Sequence, residues 1–172
     1  MTLPNDQLEI TAYSPMWPAV FDIERERLLG IFGADGAVIE HIGSTAVPGL
    51  SAKPIIDVML GVPVLAIVER VMPALTEDGY RYVPEFEKTV PERRYFVKPD
   101  GQPGHFHLNA VVMGSAFWRE RLAFRDALRG DATLAEEYLR LKKRLASRPT
   151  GDRGVQADAK TNFIRSVVDR TR

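Results

Sequence analysis

The chain has 172 residues, 45% hydrophobic and 27% charged, with no cysteine and a formal net charge of zero, which is an ordinary globular composition at a length that one hydrophobic core supplies well. Without cysteine there is no disulfide framework, thiolate zinc site or cysteine nucleophile, so any metal chemistry must use His, Asp or Glu. Met1 to Asp6 lacks the basic start and apolar stretch of a signal peptide, and no apolar run reaches the length of a membrane span, so one cytoplasmic domain over 1–172 with no membrane partner is expected.

In chain order, Leu8 to Ala12 alternates weakly and reads as a short edge strand before Pro15-Met16-Trp17-Pro18. A helix follows in which Val20, Ile23, Leu28 and Ile31, flanked by Phe21 and Phe32, recur at helical spacing up to a stop at Gly33. Val38 to Ile42 reads as a strand ending at Gly43. Ile55 to Val62 is too apolar for a half-exposed strand and belongs in the middle of a sheet, with Asp57 as its one charge. A second helix is expected from Pro63, burying Val64, Ile67, Val68, Val71 and Leu75, with a kink or break at Pro73 and closure at Gly79.

Tyr80 to Val83 and Arg93 to Val97 read as strands, and Pro99 to Gly104 as a turn leading into a strand from His105 to Met113. Residues 116–172 are helical in character, with apolar stripes at Phe117/Phe124/Leu128, at Leu134/Tyr138/Leu141/Leu145 and at Ala159/Phe163/Val167. The expected fold is α/β (α+β), a central mixed sheet with helices packed to one side and a helical C-terminal part. No Gly-x-Gly-x-x-Gly or Gly-x4-Gly-Lys-Ser/Thr occurs, so Rossmann and P-loop readings lose their main support.

Charge is unevenly spread: residues 1–116 hold nine Lys/Arg against fifteen Asp/Glu, and residues 117–172 fourteen against eight. The basic end either attracts an anionic ligand or is a solvated helical face, the second being the commoner case. Lys142-Lys143-Arg144 has no interleaved aromatics and is flanked by Leu141 and Leu145. It reads as the wet side of an amphipathic helix, and no nucleic-acid partner is expected.

The densest chemistry lies in Glu40-His41-Ile42-Gly43-Ser44-Thr45-Ala46-Val47-Pro48-Gly49-Leu50-Ser51-Ala52-Lys53-Pro54-Ile55-Ile56-Asp57. Gly43 at a strand end lets backbone approach a phosphate, and Ser44 and Thr45 can donate to its oxygens while Lys53 adds positive charge. The competing account is a turn glycine, a capping serine and a solvated lysine. Asp57 weighs against that account, because a lone carboxylate in an apolar strand costs several kcal/mol unless it is paired, hydrogen-bonded or metal-bound.

His105 and His107, two apart on a strand, project from one face and suit either a metal site with Asp57 or a proton-transfer pair; core histidines are the alternative. His41 is a possible addition. Of Arg93 and Arg94, adjacent on a strand, one is expected to face the site and bind phosphate. Arg125, Asp126 and Arg129 sit on the first late helix, where Asp126 and Arg129, three apart, are read as a structural pair.

The block from Glu40 to Asp57 resembles the signature of the GrpB family. Further matches are Tyr13-Ser14-Pro15 with Trp17-Pro18, Arg93 to Phe96, His105-Phe106-His107-Leu108, Trp118 with Phe124 to Arg129, Tyr138 with Leu141-Lys142, and Lys160 before Phe163-Ile164. That family is similar to the nucleotidyltransferase superfamily, and some of its members are fused to dephospho-coenzyme A kinase. The resemblance implies that Gly43 and Ser44 form a phosphate turn and that Asp57 is the first carboxylate holding a divalent metal. Two departures stand out. Met59 occupies the position of the second carboxylate, and methionine is a poor magnesium ligand; Gln156 stands where related chains tend to carry tyrosine.

The leading expectation is a nucleotidyltransferase-like enzyme acting on a phosphorylated small molecule or nucleotide. In it Gly43, Ser44, Thr45 and Lys53 hold phosphate, and Asp57, His105 and His107 hold magnesium, manganese or zinc. Arg93 or Arg94 neutralises developing charge. The rivals are a non-catalytic phosphate-binding module with a degenerate site, and a metal-dependent hydrolase using two histidines and one aspartate. Nothing in the sequence selects an oligomeric state.

Overall fold

The computed structural model describes residues 8–99, 104–148 and 153–171. In chain order it contains α1 (Trp17–Phe32), β1 (Val38–Ile42), a 3-10 turn (Ser44–Ala46), β2 (Ile55–Val62), α2 (Ala66–Glu77) and β3 (Arg81–Tyr82). A second 3-10 segment (Pro84–Lys88) leads to β4 (Arg93–Lys98), β5 (His105–Val112), α3 (Ala116–Gly130), α4 (Ala132–Ala146) and α5 (Arg153–Arg170). Among the described residues the strands form one mixed sheet in the order β1-β2-β5-β4-β3. β2 runs parallel to β5, and the other neighbours pair antiparallel.

Strand periodicity assigns the two faces of this sheet. On β2, Ile56, Val58, Leu60 and Val62 join Phe106, Leu108 and Ala110 of β5 in the core beneath α1 and α2. Asp57, Met59 and Gly61 point the other way. There Met59 packs with Ile42, Val111 and Phe117 of α3. A Cβ on Gly61 would stand 2.6 Å from the Trp118 ring, so glycine is what lets α3 lie this close. Helices therefore cover both faces, and not one as the sequence reading has it, because the second face also carries an apolar patch, Ile42, Met59 and Val111, that α3 covers through Phe117. α3, α4 and α5 share a core of Phe124, Leu128, Tyr138, Ile164 and Val167, into which Val47 and Leu50 insert.

Three local expectations differ from the structure. Among the described residues Leu8 to Ala12 makes a single bridge, Thr11 with Ala52. α1 buries Trp17, Phe21, Glu24, Leu28 and Phe32, leaving Ile23 half exposed. Its face is turned because Glu24 goes inside to meet the Tyr80 hydroxyl at 2.7 Å and Lys98 at 2.9 Å. α2 begins at Ala66 and continues through Pro73, with Val68 and Leu75 fully buried and Val64 exposed; packing outweighs the one backbone hydrogen bond that proline forfeits. Most of the Pro99–Gly104 turn, at 100–103, lies outside the described residues.

Candidate functional site

Where β1 ends, Gly43 adopts φ 74 and bends the chain into the 3-10 turn that starts at Ser44. Ile42 stands opposite Asp57 in the antiparallel register. A Cβ on Gly43 would overlap the Asp57 carboxyl, so glycine is required here for close approach as well as for its backbone angle.

The bend is held by a polar scaffold. Thr45 donates to the Ile55 carbonyl at 3.2 Å, and His41 Nε2 lies 2.9 Å from the Thr45 hydroxyl oxygen. With its own proton committed, that oxygen accepts from His41. The His41 ring stacks on Phe21 and is lowered to about 4 by burial and by Arg129 and Arg125, so it stays neutral. From α3, Arg125 bonds Glu40 at 2.6 Å and the His41 carbonyl, and Arg129 donates to the Ala46 carbonyl at 2.8 Å. Arg129 thus serves the bend and not Asp126, which pairs with Arg125 instead.

Two cavities open between this face of the sheet and the C-terminal helices, sharing Ser44, Asp57 and Tyr138. One, of about 290 Å3, is lined by Arg93, Arg121, Asn109, Tyr95, Phe117 and Phe86 among others. The second, of about 250 Å3, is lined by Lys53, Lys142, Lys160, His107 and Gln156 with apolar neighbours. Lys142 reaches from α4 to donate to Ser44 Oγ at 2.7 Å. Among the described residues lining either cavity, Asp57 is the single acid, against two arginines in one lobe and three lysines in the other.

This imbalance sets the electrostatics. Burial pushes the Asp57 carboxyl up to about 7, opposed by Arg121, Lys142 and Lys160, while 34% of its side chain stays open to the cavities. Lys142 is lowered to about 8 by burial and by Lys160 and Lys53, with Asp57 opposing, and Lys160 is lowered by burial and by Lys53, again with Asp57 opposing. Crowded, partly desolvated ammonium groups of this kind are stabilised when an anion joins them.

His107 lies beside Asp57 in the parallel register of β2 and β5, with Nδ1 3.6 Å from Asp57 Oδ1 and 2.8 Å from the Tyr95 hydroxyl. Burial and His105 lower it to about 3, so its contact with Asp57 is between an imidazole and a carboxyl group and is not an ion pair. His105 is its ring neighbour at 5.4 Å, on the same face as expected. Among the described residues, no three His, Cys, Asp or Glu side chains are grouped to hold a metal ion.

The structure thus brings together Gly43, Ser44, Lys53, Asp57, His107 and Arg93. Arg94 is turned to the opposite face, where it pairs with Glu69 and Glu87. Lys142 is a correction: read as the wet side of its helix, it lies in the lysine lobe, as does Lys160, because α4 and α5 fold back over the Gly43 bend. The match of Lys142 and Lys160 to the family is the sequence signal that points to them. Tyr138, a stripe residue and a family match, lines both cavities, whereas Arg121 and Asn109 carry no sequence signal of their own.

The GrpB protein family matches residues 7–170, and the chain belongs to that family. It is 33% identical over 169 residues to the UPF0157 protein YqkA of Bacillus subtilis, covering 98% of this chain but only 48% of that relative. A dephospho-CoA kinase of Mycolicibacterium paratuberculosis is 27% identical over 180 residues, covering 91% of this chain and 44% of the kinase. The structure matches the conserved protein GrpB of Enterococcus faecalis with a TM-score of 0.80 at 29% identity, over 95% of this chain and 99% of that one. It also matches the Cid1 poly(U) polymerase, solved with Mg 3'-dATP bound, with a TM-score of 0.56 at 15% identity, over 83% of this chain and 45% of that one. The fold is nucleotidyltransferase-like. No helix among the described residues is long and apolar enough to cross a membrane.

Proposed function

We propose that this GrpB-family protein binds a phosphorylated small molecule, of which a nucleotide is the best-suited class, with its phosphates in the lysine lobe beside Gly43 and Ser44. The observation that carries this reading is the charge count: among the described residues that line this lobe, one acid, Asp57, faces Lys53, Lys142 and Lys160. Three ammonium groups drawn together beside a glycine bend neutralise a phosphate directly, by charge-assisted hydrogen bonds.

The divalent cation that the superfamily implies fits these donors poorly. Met59, at the place of the second carboxylate, is wholly buried against Ile42, Val111 and Phe117. His107 Nδ1 is engaged with Tyr95, and a divalent ion on Asp57 would face Arg121, Lys142 and Lys160. In this reading Asp57 stands at the junction of the lobes as a carboxyl group balanced by side chains, and no step is routed through a metal.

The second reading, transfer at phosphorus by a cation held on Asp57, rests on the fold shared with Cid1. Isothermal titration of the full chain with tripolyphosphate, ATP and dephospho-coenzyme A separates the two, run in EDTA and then in magnesium, manganese or zinc. The binding reading expects saturable affinity in EDTA that is lost in Lys142→Met. Affinity that appears only with a metal would favour the second reading, and no affinity under any condition would end both. Dephospho-coenzyme A is included because a kinase of that substrate carries a matching segment.

A further inference from the structure

Two arginines in the other lobe are not explained by phosphate in the lysine lobe. Arg93 and Arg121 come from different elements, β4 and α3, yet both lie over the same Phe117 ring, with Cζ at 5.1 Å and 4.8 Å from its centroid. Arg93 also sits over Tyr95 at 5.2 Å, and the one hydrogen bond of its guanidinium among the described residues goes to the neutral amide oxygen of Asn109 at 3.1 Å. Its Nε is buried with no hydrogen-bond partner. Among the described residues neither guanidinium has a carboxylate within 4 Å, in contrast to Arg94 and Arg125, which each have such partners. Burial and the neighbouring Arg121 both disfavour the charge on Arg93. A fold that holds two like charges against one ring, with donors to spare, gains when an oxyanion enters between them.

We propose that the Arg93–Arg121 lobe is a second anion subsite, taking the carboxylate or phosphate of a ligand whose apolar or aromatic body rests against the rings of that lobe. Arginine suits this role because its planar fork binds two oxygens of one group while its face stacks on an aromatic ring. The Asn109 amide oxygen holds the Arg93 fork through its hydrogen bond. The two lobes meet at Asp57 and Ser44, so the subsite places a second anionic ligand, or the far end of a long one, next to phosphate bound among the lysines. The subsite goes beyond the phosphate reading and can be tested separately from it.

The test is a titration of the full chain with phenyl phosphate and with benzoate, followed through the arginine side-chain Nε–H resonances, with tripolyphosphate as the comparison probe. Saturable shifts of Arg93 and Arg121 are expected, undiminished when tripolyphosphate is already present. Arg121→Gln should weaken the aryl anion by about tenfold, the loss typical of a charge-assisted pair, and leave tripolyphosphate affinity as it was. Arg121→Lys, which keeps the charge if the glutamine variant folds poorly, should fall between the two. The relative affinity of the two probes identifies the preferred oxyanion. Displacement of the aryl probe by tripolyphosphate, equal affinity in wild type and both Arg121 variants, or no saturable shift would overturn the subsite. If tripolyphosphate fails to bind while the aryl anions bind through Arg121, the subsite stands and the phosphate reading falls.

Discussion

Gly43 and Asp57 occupy one another's space: the glycine α-carbon lies so close to the carboxyl that no side chain fits between them. The bend and the acid are thereby a single unit, with the bend's φ of 74 admitting the approach. Gly43→Ala should cost about 1–3 kcal/mol, from the strained backbone angle together with the collision. Denaturant unfolding of Gly43→Ala in the wild-type and Asp57→Ala backgrounds checks the coupling. The alanine should cost less once the carboxyl is gone; equal costs would mean that the two positions are independent.

Anion affinity should decline with pH in two stages. Asp57, raised to about 7, becomes an anion in the cleft as pH climbs through that value and repels phosphate. Lys142, lowered to about 8, then loses its charge as pH passes its own value. Tripolyphosphate affinity measured from pH 6 to 9 should therefore fall across both windows. Asp57→Asn should remove the lower stage and Lys142→Arg the upper, and a flat profile in the wild type would contradict both assignments.

Stability carries the same signature with a sign that can be worked out. A carboxyl raised from 3.8 to about 7 by folding contributes stability that is whole below the lower value and is lost as pH rises to the upper one. Asp57→Asn should flatten that loss. Because a third of the side chain faces solvent-accessible cavity, the change should be smaller than a fully sealed group would give. Urea midpoints of both proteins at pH 4 and pH 7 make the comparison.

On the opposite face of the sheet, Lys98 is 4% exposed and bonds Glu24, which is fully buried, and Asp78. Lys98→Met should destabilise the fold by about 3–5 kcal/mol, since it strands a buried carboxylate. Adding Glu24→Leu should recover much of that loss. If the double variant is no more stable than the single, the loss lies in Lys98 packing and not in an unpaired Glu24.

Much of this architecture was legible in the sequence because its signals are local. The β2 run, the Gly43 stop and the lone Asp57 depend on neighbours along the chain, and all fell where the structure has them. What could not be read depends on contacts far apart in sequence. Glu24 gave no hint that it would be buried, since its partners Tyr80 and Lys98 lie 56 and 74 residues away. Lys142 looked solvated because helical periodicity assigns it to a polar face, and only the return of α4 over Ser44, 98 residues distant, turns that face into a cavity wall. Strand alternation placed Arg93 and Arg94 on opposite faces but could not say which faced the site. The Glu69 and Glu87 partners of Arg94 decide it.

The most direct measurement is phosphate affinity in Asp57→Asn, by titration with tripolyphosphate in EDTA and again in magnesium. If lysines neutralise the ligand, removing the acid that both lobes share leaves binding intact and tightens it several-fold in either buffer. Binding that requires magnesium in the wild type and disappears in Asp57→Asn would show that the carboxylate holds a cation, and would contradict the account.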